Sequence, residues 1–221
     1  MIVAACSLVV AAQELSADAR FLAGLRERRL HELAERYCQD QLGRDDLAPS
    51  RQADLTLELA RTLAEHAAGS EPAARDELWQ RAFEATEQFA QNNPDNPRLP
   101  LVRLQGAPTL LSRGELARRE GQLLAAAEPR FEEAREQLRA AIDRLQRLAV
   151  DLEPMRREQS LRPQADPELL SAHQLATLVK RIEYELARAR RNQAESYPAD
   201  SADRVNSLTE AVRLLTPLVR L

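Results

Sequence analysis

Residues 131–152 read FEEAREQLRAAIDRLQRLAVDL, and this stretch decides the fold. Phe131, Leu138, Leu145 and Leu152 recur every seven residues, with Ile142 and Ala149 between them. A seven-residue repeat keeps one apolar edge on the same side of a helical rod, so this is the seam of a helix lying along another helix. Leu175, Val179, Ile182, Leu186 and Ala189 step by four and three in the same way. Between the seams, Pro154 to Pro167 is polar and proline-bearing and reads as a loop. Two seams and one loop predict a long antiparallel helical hairpin over residues 128–199, each arm about 35 Å long at ~1.5 Å per residue. Arg135 and Arg156 interrupt the seam, which favours pairing within the chain over pairing between chains.

Composition points the same way. Of 221 residues, 37 are alanine and 36 leucine, while valine and isoleucine together number 12. Unbranched side chains keep their rotamer freedom in a helix, whereas β-branched ones suit strands, so the mixture predicts an all-α fold. A hydrophobic content of 44% excludes a disordered chain. The net charge of -4 supplies no long-range field for nucleic acid. All the basic residues except Lys180 are arginine, with Arg188, Arg190 and Arg191 the densest cluster. Glu183, Glu185 and Glu195 flank that cluster, so paired, solvated helix faces account for it better than an anion site. The arginine excess fits codon usage in a GC-rich genome.

Working outward, residues 20–127 read as helices punctuated by proline and glycine. A first helix is expected from about Ser16 to Leu42, with Leu22, Leu25, Leu30, Leu33, Tyr37 and Cys38 on or near its packed face, stopped by Gly43. A second starts near Ser50, carries Leu55, Leu59, Leu63 and Ala67 on one side, and ends at Gly69. Ser70-Glu71-Pro72 then reads as an N-cap followed by proline in a first turn. The third helix carries Leu78, Trp79, Ala82, Phe83, Thr86 and Phe89 and ends at Asn92-Asn93-Pro94. Pro100 and Pro108 predict a short helix over Arg98–Gln105 and another from Thr109 to Ala127, with Pro129 a kink or a fresh start. Residues 200–221 begin a last helix, capped by Asp200 or Ser201, whose apolar residues are Val205, Leu208, Val212, Leu215 and Val219. Leu221 falls in the middle of that pattern, as in a fragment of a longer array, since arrays close with a polar-faced helix.

The first nineteen residues differ in kind. Met1 to Ala12 is almost uniformly apolar and too short to span a bilayer as a helix. It resembles the apolar region of a secretory signal, incomplete for want of a basic start, with Ala17-Asp18-Ala19 as the cleavage pattern. Val3-Ala4-Ala5-Cys6 looks like a bacterial lipobox, and the plain alternative is an apolar first turn that merely packs. The expectation is an exported chain of the periplasm or cell envelope with no transmembrane span once mature. Lipid anchoring through Cys6 and a cytoplasmic location are the alternatives. Cys38, the only other cysteine, reads as a small apolar residue on a helix face.

Trp79-x-x-Ala82, then Phe89, Pro94 and Pro97, resembles the second helix of a tetratricopeptide repeat, and Tyr197-Pro198-Ala199-Asp200-Ser201 looks like the same closing phrase in exported bacterial members of that family. Leu30, Ala34 and Tyr37 are compatible with an earlier helix of that kind. No strict 34-residue period survives, the tryptophan–leucine–glycine opening of the family is absent, and the 128–199 hairpin would be an insertion or an elongated repeat. The resemblance implies an α-solenoid of stacked antiparallel helix pairs that binds a protein or peptide in its concave groove.

Reactive chemistry is sparse. His31-Glu32-Leu33-Ala34-Glu35 misses the H-E-x-x-H zinc helix at its fifth position, and His66 and His173 stand on other helices without metal-binding spacing. No phosphate-cradling glycine pattern or nucleophile elbow occurs, and carboxylate pairs such as Glu132-Glu133 read as solvated faces. No catalytic, metal or cofactor residue is therefore assigned. Trp79, Phe83 and Phe89 are either partner contacts or inter-helix core, the latter favoured. The expected function is a non-enzymatic scaffold for protein–protein interaction. The alternatives are a coiled-coil structural or oligomerising protein, and a helical accessory region of a longer enzyme.

Overall fold

The computed structural model describes residues 17–123, 127–161 and 169–219. Among these, all regular structure is helical: α1 (Ala17–Glu27), α2 (His31–Leu42), α3 (Pro49–Ala68), α4 (Pro72–Asn92), α5 (Leu99–Leu123), α6 (Glu128–Leu161), α7 (Ala172–Glu195) and α8 (Ala202–Val219). The all-α class expected from composition holds. Each helix packs on the next along the chain, and α3 also touches α1 and α5, as α5 touches α7. Among the described residues the even-numbered helices do not pack backbone to backbone, and side chains alone join α2 to α4 and α4 to α6. The odd-numbered helices thus share a layer, with the even-numbered ones joined to each other only through side chains.

Where local signals and burial agree, the expected elements form. Pro49 opens α3 and Gly69 closes it, with Leu55, Leu59, Leu63 and Ala67 buried. Pro72 opens α4, although Glu71 rather than Ser70 takes the N-cap position; the Ser70 hydroxyl instead donates to the His66 carbonyl at 2.8 Å. Ser171 and Gln174 close a reciprocal capping box at the start of α7. Of the two candidate caps for α8, Ser201 takes the role, accepting from the Arg204 N–H at 3.2 Å.

Three expectations are corrected. The single helix over Ser16–Leu42 is two helices, broken at Arg28–Leu30, where Arg29 adopts a left-handed φ of 58°. Such a conformation costs a non-glycine residue about 1–2 kcal/mol. The bend brings Ala34 and Cys38 of α2 into the same apolar cluster as Leu22 and Leu25 of α1, against Leu59, Leu63 and Ala67 of α3. It also leaves Leu30 and Leu33 exposed rather than on the packed face.

Second, Pro108 does not divide α5, which runs unbroken through it. A proline inside a helix costs about 3 kcal/mol in a lost hydrogen bond and a clash, but Val102, Ala107, Leu111 and Ala117 are buried on either side of it. α5 also lies close against α6, since Gly114 faces Leu138 and Gly121 faces Phe131.

Third, α6 continues past Pro154 to Leu161, where a loop was expected from Pro154. Leu152 and Met155 lie in one cluster with Leu170 and Leu175, so the turns on both sides of this exposed proline are held by packing. Residues 162–168 of the expected loop lie outside the described residues. Pro129 sits in the first turn of α6, a fresh start. α6 and α7 do pair, Arg135 near the start of one donating to the Ser196 carbonyl beyond the end of the other at 2.8 Å. The seam nevertheless leans more on α5 than on α7.

The two closing phrases follow α4 and α7, an even-numbered and an odd-numbered helix. They cannot both mark second helices in one uninterrupted register of pairs. The apolar leader lies outside the described residues, apart from Ala17-Asp18-Ala19, which form the first turn of α1. Asp18 accepts hydrogen bonds from the Tyr37 hydroxyl at 2.6 Å and from Arg51 at 3.1 Å, so a cut after Ala19 would remove both.

Candidate interaction surfaces

The α4 aromatics point inward. Trp79 is 5% exposed within the α1–α4 cluster, with the Arg75 guanidinium 5.8 Å above its ring. Phe89 is buried with Ala53, Leu99 and Val102, and Phe83 lies half-buried under Arg144 at 4.9 Å. Their common side is core, as the helical spacing suggested.

The arginine cluster on α7 is a clamp between helices. Arg188 grips Glu115 of α5 with two nitrogens, at 2.6 and 2.8 Å, and reaches Glu185 at 3.3 Å. The Glu115 carboxylate holds the Arg188 guanidinium above its ordinary pKa, because these bonds favour the charged form. Asn192 donates to Glu115 at 2.8 Å and accepts from Arg118 at 3.1 Å, while Arg118 pairs with Glu195 at 2.9 Å. Arg191 bonds Glu195 and Arg190 bonds Gln193, each at 3.1 Å. These groups border a hollow of about 270 Å³, also lined by Tyr184 and by Leu215 of α8. Glu115 and Asn192 carry no signal in the sequence that marks them as partners, since polar residues on a helix look alike until the neighbouring helix is placed.

A larger hollow, about 440 Å³, opens between α4 and α6 over α5. Arg144 pairs there with Glu87, and Arg103 with Asp151 at 3.1 Å. Burial, with Arg147 nearby, pushes the Arg144 pKa below its ordinary value. Cations and carboxylates alternate along its walls, so it is an ion-paired groove rather than an anion pocket.

The histidines do not assemble with acidic ligands. His31 stacks on His66 of α3, ring centroids 5.1 Å apart, while Glu35 pairs with Arg81. His173 is exposed at the start of α7. Among the described residues no group of three or more His, Cys, Asp or Glu could hold a metal ion, and no helix is long and apolar enough to cross a membrane. Glu133 pairs with Arg130 at 2.6 Å, and its neighbour Glu132 is exposed on the surface of α6.

The surface that stands out is on α8. Ser207 and Ala211 are buried, and Leu214 packs against the α5–α7 core. The large aliphatic residues expected to pack are turned outward: Val205 is 58% exposed, Leu208 38%, Val212 64% and Val219 81%. With half-buried Leu215 they form one stripe, spaced three and four apart over two heptads. The periodicity was legible; which side of the helix meets the body was not, because small residues seat α8 on α7.

No protein-family model matches the chain, no curated protein is significantly similar to it, and no solved structure significantly matches its fold.

Proposed function

We propose that the chain is a helical-repeat scaffold of the bacterial cell envelope, similar to tetratricopeptide-repeat proteins, that holds protein partners and performs no chemistry of its own. The observation that carries this reading is the apolar stripe that α8 turns away from the other described helices. Scattered apolar residues are ordinary on a protein surface, but a continuous row at heptad spacing is the form in which one helix receives another. The shared layer of odd-numbered helices supports an α-solenoid, in which a rigid array presents such a face without an ordering cost on its own side. The envelope location rests on the resemblance of the leader to a secretory signal.

The test is a titration of the full chain into a fluorescently labelled synthetic amphipathic helix with leucine and valine at its heptad positions. Saturable binding that weakens at least tenfold on Val212→Asp supports the reading. Binding that is absent, or unchanged by Val212→Asp, overturns it.

A further inference from the structure

We propose that the hollow between α4, α5 and α6 binds a small monocarboxylate with an apolar body. Its volume is about 330 Å³, within the range of small-molecule sites, and none of its lining residues is on α8. The walls divide by chemistry. Trp79, Leu116 and Leu123 supply apolar surface, and Arg75, Arg113 and Arg130 supply cations. Leu123 is 86% exposed, so an apolar body laid against it would withdraw a large aliphatic side chain from water.

The three arginines are unequal. Arg130 donates to Glu133 at 2.6 Å. The Arg75 side chain is only 16% exposed, yet it makes no hydrogen bond among the described residues. Its Nε is buried without a partner, and its ion-pair partner Glu120 stands 3.7 Å away, beyond hydrogen-bond reach. Glu120 is also shared, since Arg130 lies 3.5 Å from it. Arg113, half-buried on α5, has neither hydrogen bond nor ion pair among the described residues. Guanidinium donors held out of water are costly to leave unmet, and their planar fork fits the two oxygens of a carboxylate. Asp76, Glu120 and Glu133 match the three arginines in number, so the walls offer donors without a surplus of charge. That suits a carboxylate, whose one charge is met by bonds to Arg75 and Arg113, over a phosphate dianion, which needs more compensation. In the hollow beside Tyr184, by contrast, the guanidiniums of Arg118 and Arg188 are already hydrogen-bonded to Asn192 and Glu115.

The experiment is calorimetric titration of the full chain with decanoate, kept below its micelle concentration, alongside the emission of Trp79, the single tryptophan. The expected result is saturable binding of one decanoate per chain with a change in Trp79 emission. Arg113→Gln and Arg75→Gln are each expected to weaken it about tenfold or more, with an unchanged circular dichroism spectrum. Arg119→Gln, at an exposed position of α5 outside the hollow, is expected to leave the affinity as it is. Decyltrimethylammonium, with the same tail and the opposite charge, is expected not to bind, and neither is acetate, with the same head and no tail.

A chain that takes up no decanoate overturns the proposal. So does uptake that Arg113→Gln leaves unchanged, or that Val212→Asp abolishes, because the tail would then lie on the α8 stripe. Equal binding of decyltrimethylammonium overturns it as well, since apolar surface alone would account for the uptake. Equal binding of acetate does the same, since the apolar walls would then contribute nothing.

Discussion

Gly114 of α5 lies directly against Leu138 of α6: a methyl group on Gly114 would stand 2.7 Å from Leu138 Cγ and 3.2 Å from the Ala134 carbonyl oxygen. Real side-chain carbons do not approach that closely, so something must move. Gly114→Ala gains helix propensity of about 1 kcal/mol, but it forces α5 and α6 apart, and overpacking of this kind costs about 1–3 kcal/mol. The expected net result is a lower urea midpoint. Gly24→Ala is the control, since the nearest atom to its new methyl is the end of the flexible Arg28 side chain at 3.3 Å. It is expected to stabilise by about 0.5–1 kcal/mol. Trp79, the single tryptophan, reports both transitions.

Arg26 is buried, with its guanidinium 2.6 Å from buried Glu58 and 3.4 Å from Glu65. Replacing it with methionine strands Glu58, whose remaining cation is Arg61 at 2.8 Å. Losing one member of a buried pair costs about 3–5 kcal/mol. Arg26→Met is expected near the lower end because Arg61 stays. Adding Glu58→Leu is expected to restore most of the stability, which equilibrium urea unfolding of the single and double variants would measure.

The His31 imidazole has its pKa below the ordinary 6.5, first through burial and then through the neighbouring His66, with Arg26 and Arg29 acting in the same sense and Glu65 against them. A folded-state pKa below the unfolded one means the unfolded chain binds more protons in that window. The contribution of His31 to stability is therefore complete above about pH 6.5 and fades as the pH falls through its lower folded value. The urea midpoint is expected to drop between pH 7.5 and 5.5, and His31→Gln to flatten that drop. A midpoint in His31→Gln that falls as steeply as in the unmutated chain would contradict this account.

Burial pushes the Cys38 thiol up to about 12, with Glu58 adding to the shift. Neither access nor thiolate is on offer in the folded chain. With Cys6→Ser in the background, a thiol reagent at pH 8 is expected to label Cys38 only as fast as the surrounding helices open, and at once in denaturant.

How much of this was legible varies by helix, for identifiable reasons. α3 could be read from its opening proline, apolar side and closing glycine because every local signal agreed with its burial. The break between α1 and α2 could not, since Arg28, Arg29 and Leu30 are ordinary helix formers; the turn exists because α2 finds core on α3. Pro108 and Pro154 misled in the opposite direction, local rules predicting ends where packing carries the helix through. On α8 the stripe was visible but its direction was not. As for the surfaces, the inward aim of the α4 aromatics followed from their spacing, whereas the Glu115–Arg188–Asn192 clamp required two helices to be set side by side.

α5 has a consequence for how the whole array behaves. Three glycines and two prolines give it little tendency to coil alone. Yet it supplies Leu111 to the α5–α7 core, Leu99 and Val102 to the core shared with α3 and α4, and Leu116 to the edge of the α1–α4 core. A keystone of this kind exists only while its neighbours grip it, so slow amide exchange in α5 would vanish together with that of the helices on either side. The two ends of the molecule then melt as one unit, in contrast to arrays whose repeats fray one at a time.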